Sequence, residues 1–80
     1  MRLRLTREVL GLTQAEFADR CGIARNTYNQ YEQGKNKPQI GLAIEMCERF
    51  NLTLDWLYRG DPSSLPYKMA DAIKSLRVNR

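Results

Sequence analysis

Residues 12–38, LTQAEFADRCGIARNTYNQYEQGKNKP, decide the fold. They predict two short helices that are separated by a tight turn and followed by a basic loop. Thr13 and Glu16 have the spacing of a capping box, T-x-x-E, which marks the start of the first helix. Gly22 is expected to end that helix, because glycine accepts the left-handed backbone of a C-terminal cap. The second helix is predicted over residues 25–33, just before the next glycine.

The polar face of this second helix has an unusual composition. It carries one guanidinium and four carboxamides without an outward acid, whereas an ordinary solvated face mixes Glu and Lys. Arg can form two parallel hydrogen bonds to guanine, and Asn or Gln can do so to adenine. We therefore interpret the face as one that reads base edges, and the alternative is a merely polar surface. The predicted base-reading residues are Arg25, Asn26, Asn29 and Gln30.

The same stretch resembles the helix-turn-helix of the phage lambda repressor/Cro family, also called the XRE-like family. The shared features are the LTQ opening, the glycine in the turn and the E-x-G-K-x-x-P run after the second helix, all at the family's spacing. The resemblance extends over about residues 3–57. It implies an all-α, five-helix DNA-binding domain whose third helix enters the major groove.

Two further groups are expected to hold the DNA backbone. Gln14 lies at the amino end of the first motif helix, where free N–H groups and the helix dipole favour a phosphate. The resemblance supports this position, because Gln there typically touches the backbone. The loop after the second helix offers basic and amide side chains. The predicted phosphate-binding residues are Gln14, Thr27, Gln33, Lys35, Asn36 and Lys37.

Three residues depart from the family's pattern. Tyr28 and Tyr31 occupy inward positions that usually carry aliphatic side chains, and both are expected to pack in the core. The Tyr28 hydroxyl is a further candidate for a phosphate contact, since a buried hydroxyl needs a partner or an exit to water. Ala24 stands where relatives tend to have Ser or Thr as the N-cap, and an alanine cap costs about 1 kcal/mol.

The first helix is predicted over residues 2–10, with a charged side chain on its inner side. Leu3, Arg7 and Leu10 recur at helical spacing, and Arg7 needs a partner if it is buried. In the resembling family an Arg here pairs with a Glu near the end of the recognition helix. The resemblance thus implies a structural ion pair between Arg7 and Glu32. The alternative is two unrelated surface charges.

The second half of the chain is predicted to contain three more helices. They are expected over residues 39–50, over residues 54–59 with Thr53 as the N-cap, and over residues 65–76 with Ser64 as the N-cap. Leu54 and Leu57 are expected in the core, and Trp56 partly exposed or at an interface. The inner stripe of the fourth helix is predicted to consist of Ile40, Ala43, Cys47 and Phe50, widened by Ile44 and Met46.

The sixth helix makes the domain organisation ambiguous. Residues 1–60 are predicted to form the DNA-binding domain, and residues 61–80 a linker and helix that end in a tail at residues 78–80. The apolar stripe of this helix is too narrow to stand alone, so it packs either on its own domain or on a second copy. We expect a homodimer on a palindromic site, with half-sites about 34–36 Å apart. The candidate dimer residues are Trp56, Tyr58, Met69, Ile73 and Leu76.

Composition favours an anionic partner and gives no sign of catalysis. The net charge is +4, and residues 1–38 hold seven Lys/Arg against four Asp/Glu. The chain has no His and no nucleotide-binding or nucleophile motif, so neither an enzyme nor a cofactor or metal is expected. Cys21 and Cys47 fall on apolar helix sides and are expected to be reduced core thiols in a cytosol-like compartment. No apolar run approaches the roughly 18 residues of a membrane span.

Together these patterns predict a cytoplasmic, sequence-specific regulator of prokaryotic or phage type that binds double-stranded DNA. A repressor is favoured over an activator, because blocking polymerase needs only occupancy. The rival interpretation is a protein-interaction module such as an antitoxin or adaptor with the same fold. A third is an architectural binder with little sequence preference.

Overall fold

The computed structural model describes residues 1–78, which form six helical segments joined by short loops. No strand occurs among these residues, so the predicted all-α fold is confirmed. The fifth segment is a single π-helical turn, and we label it α5. In chain order the segments are α1 (Leu3–Leu10), α2 (Gln14–Cys21), α3 (Arg25–Glu32), α4 (Ile40–Phe50), α5 (Asp55–Arg59) and α6 (Tyr67–Val78).

The ends of the motif helices follow from local chemistry. The Thr13 hydroxyl accepts from the Glu16 backbone N–H at 3.1 Å, and the Glu16 carboxylate accepts from the Thr13 N–H at 2.9 Å, so the predicted capping box is present. The second of these bonds holds the pKa of Glu16 below its ordinary value. Gly22 has a φ of +70° and ends α2 as predicted. Ala24 precedes α3 without a side-chain cap bond, and α3 ends at Glu32, one residue earlier than expected.

An aromatic cluster joins the three central helices. The Phe17 ring stacks on the Phe50 ring with centroids 4.4 Å apart and lies 4.9 Å from the Tyr28 ring. All three side chains are buried, and they connect α2, α3 and α4. α3 is therefore fixed to the core through its own tyrosine. Further core side chains are Leu3, Ala18, Met46, Leu52, Leu57, Leu65 and Ile73.

The inner face of α4 differs from the predicted stripe. Ala43, Met46 and Phe50 are buried, whereas Ile40 is 60% exposed and Ile44 is 42% exposed. The prediction that both isoleucines face inward is wrong. Apolar residues occupy more than one side of this helix, so periodicity alone left its rotation ambiguous. Packing against α2 selects the side centred on Met46.

Trp56 is the second correction, because it is fully buried rather than partly exposed or at an interface. Its Nε1–H donates to the Thr6 hydroxyl at 2.8 Å, and that hydroxyl donates to the Arg2 carbonyl at 2.6 Å. The backbone N–H of Trp56 donates to the Thr53 hydroxyl at 3.1 Å, but α5 begins at Asp55, so its N-cap is Leu54 rather than the predicted Thr53. The indole therefore joins α5 to α1. Leu54 is only half-buried.

The start of α6 is a third correction. The helix begins at Tyr67 instead of residue 65, and Ser64 does not cap it, because its hydroxyl donates to Thr53 at 3.1 Å. A turn occupies the preceding residues, with the Asp61 carboxylate accepting from the Ser63 N–H at 3.0 Å. Val78 still belongs to α6. Residues 79–80, the rest of the predicted tail, lie outside the described residues.

The packing of α6 decides between the two positions that the sequence allowed. The helix folds back on α1 and buries Ile73, which is 1% exposed. Ile73 and Trp56 therefore belong to the core of one molecule, and their assignment to a dimer surface is wrong. Met69 and Leu76 are half-buried, and Tyr58 remains exposed.

Candidate nucleic-acid interface

The third helix presents a polar side to solvent and an aromatic side to the core. Tyr28 is buried and Tyr31 half-buried, so both tyrosines face inward as predicted. Arg25, Asn26 and Gln30 are exposed on the other side. The first two lie in the first turn of α3 and Gln30 lies one turn further on, which is the arrangement that brings side chains to base edges in a helix-turn-helix.

An ion pair fastens this helix to α1. The Arg7 Nε–H donates to Glu32 at 2.6 Å, and a second guanidinium N–H lies 3.4 Å from the other carboxylate oxygen. The two side chains are only 16% and 5% exposed. Arg7 also donates to the Leu12 carbonyl at 3.0 Å. The ion pair expected between Arg7 and Glu32 is thus present, and it lies inside the molecule.

The Glu32 carboxylate also accepts hydrogen bonds from two other side chains. The Tyr28 hydroxyl donates to it, and so does the Gln14 side-chain N–H at 3.0 Å. Burial by itself raises the pKa of Glu32, but the hydrogen bonds from Arg7, Tyr28 and Gln14 outweigh it, and the pKa lies below its ordinary value. Burial and the bond to Glu32 raise the pKa of Tyr28. The carboxylate is therefore ionised and the phenol neutral at pH 7.

The contacts of Tyr28 exclude it from the DNA backbone. Its side chain is buried, and its hydroxyl is used by Glu32. The suggestion that this hydroxyl reaches a phosphate is wrong, because the ion pair on α1 supplies the partner that the tyrosine needs. The core position of the ring is as predicted.

Carboxamides link α2 to α3 across the motif. The Gln14 Nε2–H donates to the Asn29 Oδ1 at 3.2 Å, and the Gln33 Nε2–H lies 3.4 Å from the same oxygen. Asn29 is half-buried, in contrast with the more open Gln30. Sequence reasoning assigned Gln14 and Asn29 to separate contacts with DNA, whereas the structure brings their side chains together.

The loop after α3 adds exposed positive charge to this region. Lys35, Asn36 and Lys37 are all exposed, and the Asn36 amide donates to the Gln30 Oε1 at 3.3 Å. The loop is held close to the helix by the Lys35 N–H, which donates to the Gln30 carbonyl at 3.0 Å. Thr27 is half-buried. The lysine-bearing loop is therefore held against α3 at Gln30.

One basic residue of this surface escaped the sequence analysis. Arg4 lines a cleft together with Arg7, Gln14, Asn29 and Gln33, although it lies on α1. It is exposed and pairs with Glu8 at 3.1 Å on the same helix. Arg4 precedes Arg7 by three residues and so shares a helix side with it. The spacing of Arg4 and Arg7 in the sequence could therefore have predicted that Arg4 lies on this surface.

The two cysteines are free thiols. Burial raises the pKa of Cys21 to about 11 and also raises the pKa of Cys47. Both are therefore protonated at pH 7 and poor nucleophiles. Within residues 1–78, no helix has both the length and the apolar character that crossing a bilayer requires.

Comparison with known proteins also identifies a helix-turn-helix in this chain. Residues 3–57 match the family described as Helix-turn-helix. The chain is 34% identical over 59 residues to the uncharacterized HTH-type transcriptional regulator YqaE of Bacillus subtilis, covering 74% of this chain and 51% of that protein. It is 34% identical over 64 residues to an uncharacterized HTH-type transcriptional regulator of Archaeoglobus fulgidus, covering 80% and 91%.

A phage protein is also among the relatives. The CTXphi transcriptional repressor RstR of Vibrio cholerae is 30% identical over 56 residues, covering 70% of this chain and 50% of the repressor. The chain thus spans about half the length of the Bacillus and Vibrio relatives. No solved structure gives a significant match. The chain belongs to the XRE-like helix-turn-helix family, a family of DNA-binding transcriptional regulators.

Proposed function

We propose that the protein is a sequence-specific transcriptional regulator, and a repressor, which reads double-stranded DNA with α3. The observation that carries the proposal is the exposed side of α3, which presents Arg25, Asn26 and Gln30, with the lysine-bearing loop held against Gln30. The acid of this helix, Glu32, is turned inward and neutralised by Arg7. A phosphate backbone can therefore approach without meeting an exposed carboxylate on α3.

The side chains have separate tasks in this proposal. Arg25, Asn26 and Gln30 contact base edges, and each good bidentate pair supplies about 1–3 kcal/mol of discrimination. Lys35 and Lys37 contact phosphates, which fixes the position of α3 but carries no sequence information. The protein acts in the cytoplasm as a binding protein, without catalysis or a cofactor.

We further propose that the protein binds a palindromic operator as a homodimer. One α3 reaches only a few base pairs, and a second copy across a two-fold axis doubles the contacts. The burial of Trp56 and Ile73 restricts the dimer surface to residues that the single molecule leaves exposed. Tyr58 is the member of the original candidate set that remains exposed.

Selection from random duplex DNA tests the proposal, with the full chain at near-physiological salt. We expect a two-fold symmetric motif, and we expect Arg25→Ala to relax it at defined positions. Arg49→Ala is the control, because it removes the same charge from the far end of α4, about 15 Å along the helix from the lysine loop. Unenriched DNA would contradict the proposal, and a motif without symmetry would contradict the homodimer alone.

A further inference from the structure

The orientation of one carboxamide on α3 follows from the buried carboxylate beside it. Glu32 is ionised, so it can accept hydrogen bonds but cannot donate them. Gln14 lies 3.0 Å from one of its oxygens, and the group of Gln14 at that contact must be the NH2. The opposite orientation would place the Gln14 oxygen against a carboxylate.

The fixed orientation of the Gln14 amide in turn fixes the orientation of the Asn29 amide. The NH2 of Gln14 has a second hydrogen, and it points to the Asn29 side chain at 3.2 Å. Only the oxygen of Asn29 can accept it, because an inverted Asn29 would set two NH2 groups against each other. The Gln33 NH2, 3.4 Å away, reaches the same oxygen. Both lone pairs of the Asn29 oxygen are thus directed toward protein donors.

The NH2 of Asn29 consequently faces outward. Within residues 1–78, each buried side-chain nitrogen and oxygen has a hydrogen-bond partner. The Asn29 Nδ2 has no such partner in this part of the chain, so it is not among the fully buried atoms. Asn29 itself lines the cleft that Arg4, Gln14 and Gln33 also line.

We propose that Glu32 and Gln14 hold Asn29 as a donor-only group, which selects hydrogen-bond acceptors on DNA. This deepens the proposed function and rests on it. Adenine offers N7 as an acceptor but N6 as a donor, and its bidentate partner must both donate and accept. Asn29 cannot do both with its oxygen turned inward. Guanine, with N7 and O6 both accepting, and a phosphate oxygen share the chemistry that fits.

The first test uses the free protein and does not depend on DNA binding. Exchange of the side-chain amide protons is measured by NMR on the full chain labelled with ¹⁵N. We expect the Gln14 NH2 protons to exchange more slowly than those of Asn29, because only the former lie between two acceptors. Equal rates, or slower exchange at Asn29, would overturn the proposal.

The second test is selection of DNA sites by variants. Asn29→Ala identifies the position that this side chain reads, where we expect the unmodified protein to prefer guanine over adenine by about tenfold. Gln14→Ala should reduce that preference to about twofold, because the remaining donor, Gln33, is not oriented by Glu32 and can rotate together with Asn29. Gln39→Ala is the matched control, since Gln39 is an exposed glutamine before α4 whose side chain does not cap that helix. It should keep the guanine preference.

The remaining outcomes distinguish a base from a phosphate as the acceptor. They also distinguish failure of the donor-only assignment from failure of the proposed function. If Asn29→Ala relaxes no base but weakens binding, and a methylphosphonate at one phosphate abolishes this difference, the acceptor is a phosphate and the donor-only assignment stands. Adenine preferred at the Asn29 position, or a guanine preference unaffected by Gln14→Ala, would overturn it. If no motif is selected at all, the proposed function fails, and amide exchange still decides the orientation of Asn29.

Discussion

At the scale of single residues, the candidate nucleic-acid interface depends on Glu32. It belongs to the reading helix but contacts α1 through Arg7 and α2 through Gln14. A carboxylate that is only 5% exposed is stable when its charge is paired and its oxygens accept hydrogen bonds. Both conditions hold here, so one acid determines the position of α3 and the orientation of its amides.

Removing either partner of this ion pair should be costly, and removing both should cost less than the sum of the two single changes. Arg7→Met leaves a buried carboxylate without its cation, and we expect a loss of about 3–5 kcal/mol in the free energy of unfolding. Glu32→Leu should also destabilise, because Arg7 and the Tyr28 hydroxyl lose their acceptor. The double variant should lose less than the sum of the two changes, as measured by urea unfolding. Strictly additive losses would show that the two side chains do not act as a pair.

The same carboxylate makes stability depend on pH. The pKa of Glu32 in the folded protein lies below its ordinary value of 4.5. Its contribution is therefore fully present above about pH 5 and is lost as the pH falls through the folded-state pKa. We expect the free energy of unfolding, followed by urea titration, to fall in acid, and Glu32→Gln to reduce the steepness of that fall.

Other carboxylates also contribute to the fall in the free energy of unfolding in acid. The comparison of Glu32→Gln with the unmodified protein therefore needs a control. A backbone N–H lowers the pKa of Glu16 and another lowers that of Asp61. Glu16→Gln removes an exposed carboxylate with the same direction of shift but without the α1 contact. It should flatten the curve less than Glu32→Gln does. A larger effect at Glu16 would contradict the central role given to Glu32.

At the scale of elements, the sequence predicted what is determined locally. The capping box of α2 and the stop at Gly22 involve neighbours within a few residues, and both were predicted correctly. The rotation of α4 was not, because Ile40 and Ile44 are as apolar as Ala43 and Met46, and only contact with α2 distinguishes them.

Long-range contacts explain the other differences. Trp56 is buried because Thr6, fifty residues earlier, supplies an acceptor for its N–H. The exposed residues of the candidate interface were predicted from helical spacing, which needs only the position of α3. The link from Gln14 to Asn29 could not be predicted, because it requires the packing of α2 against α3.

The packing of α6 leads to a prediction about this element. Ile73→Ala should lower the free energy of unfolding by about 2–5 kcal/mol, since the side chain is buried against the rest of the molecule. Lys74→Ala, the exposed neighbour on the same helix, should change it by less than about 0.5 kcal/mol. Both values come from urea unfolding. Equal small effects would mean that α6 does not contribute to the core.

At the scale of the whole molecule, the side chains proposed to read bases lie in the more positively charged half of the chain. Residues 1–38 carry most of the net charge, and the loop that bears Lys35 and Lys37 is hydrogen-bonded to α3 at Gln30. Phosphate contacts of this kind strengthen binding to all DNA and make it sensitive to salt. Specificity must then come from the exposed side chains of α3. Mutations can separate the affinity that phosphate contacts supply from the specificity that the side chains of α3 supply.

The most direct measurement is the ratio of affinities for the selected duplex and for a scrambled duplex, by fluorescence anisotropy at about 150 mM salt. We expect a ratio on the order of a thousand or more. Arg25→Ala should lower that ratio, while Lys35→Ala should weaken both affinities alike and reduce the salt slope by about one unit. A ratio near one, or a ratio that Arg25→Ala leaves unchanged, would contradict sequence reading by α3.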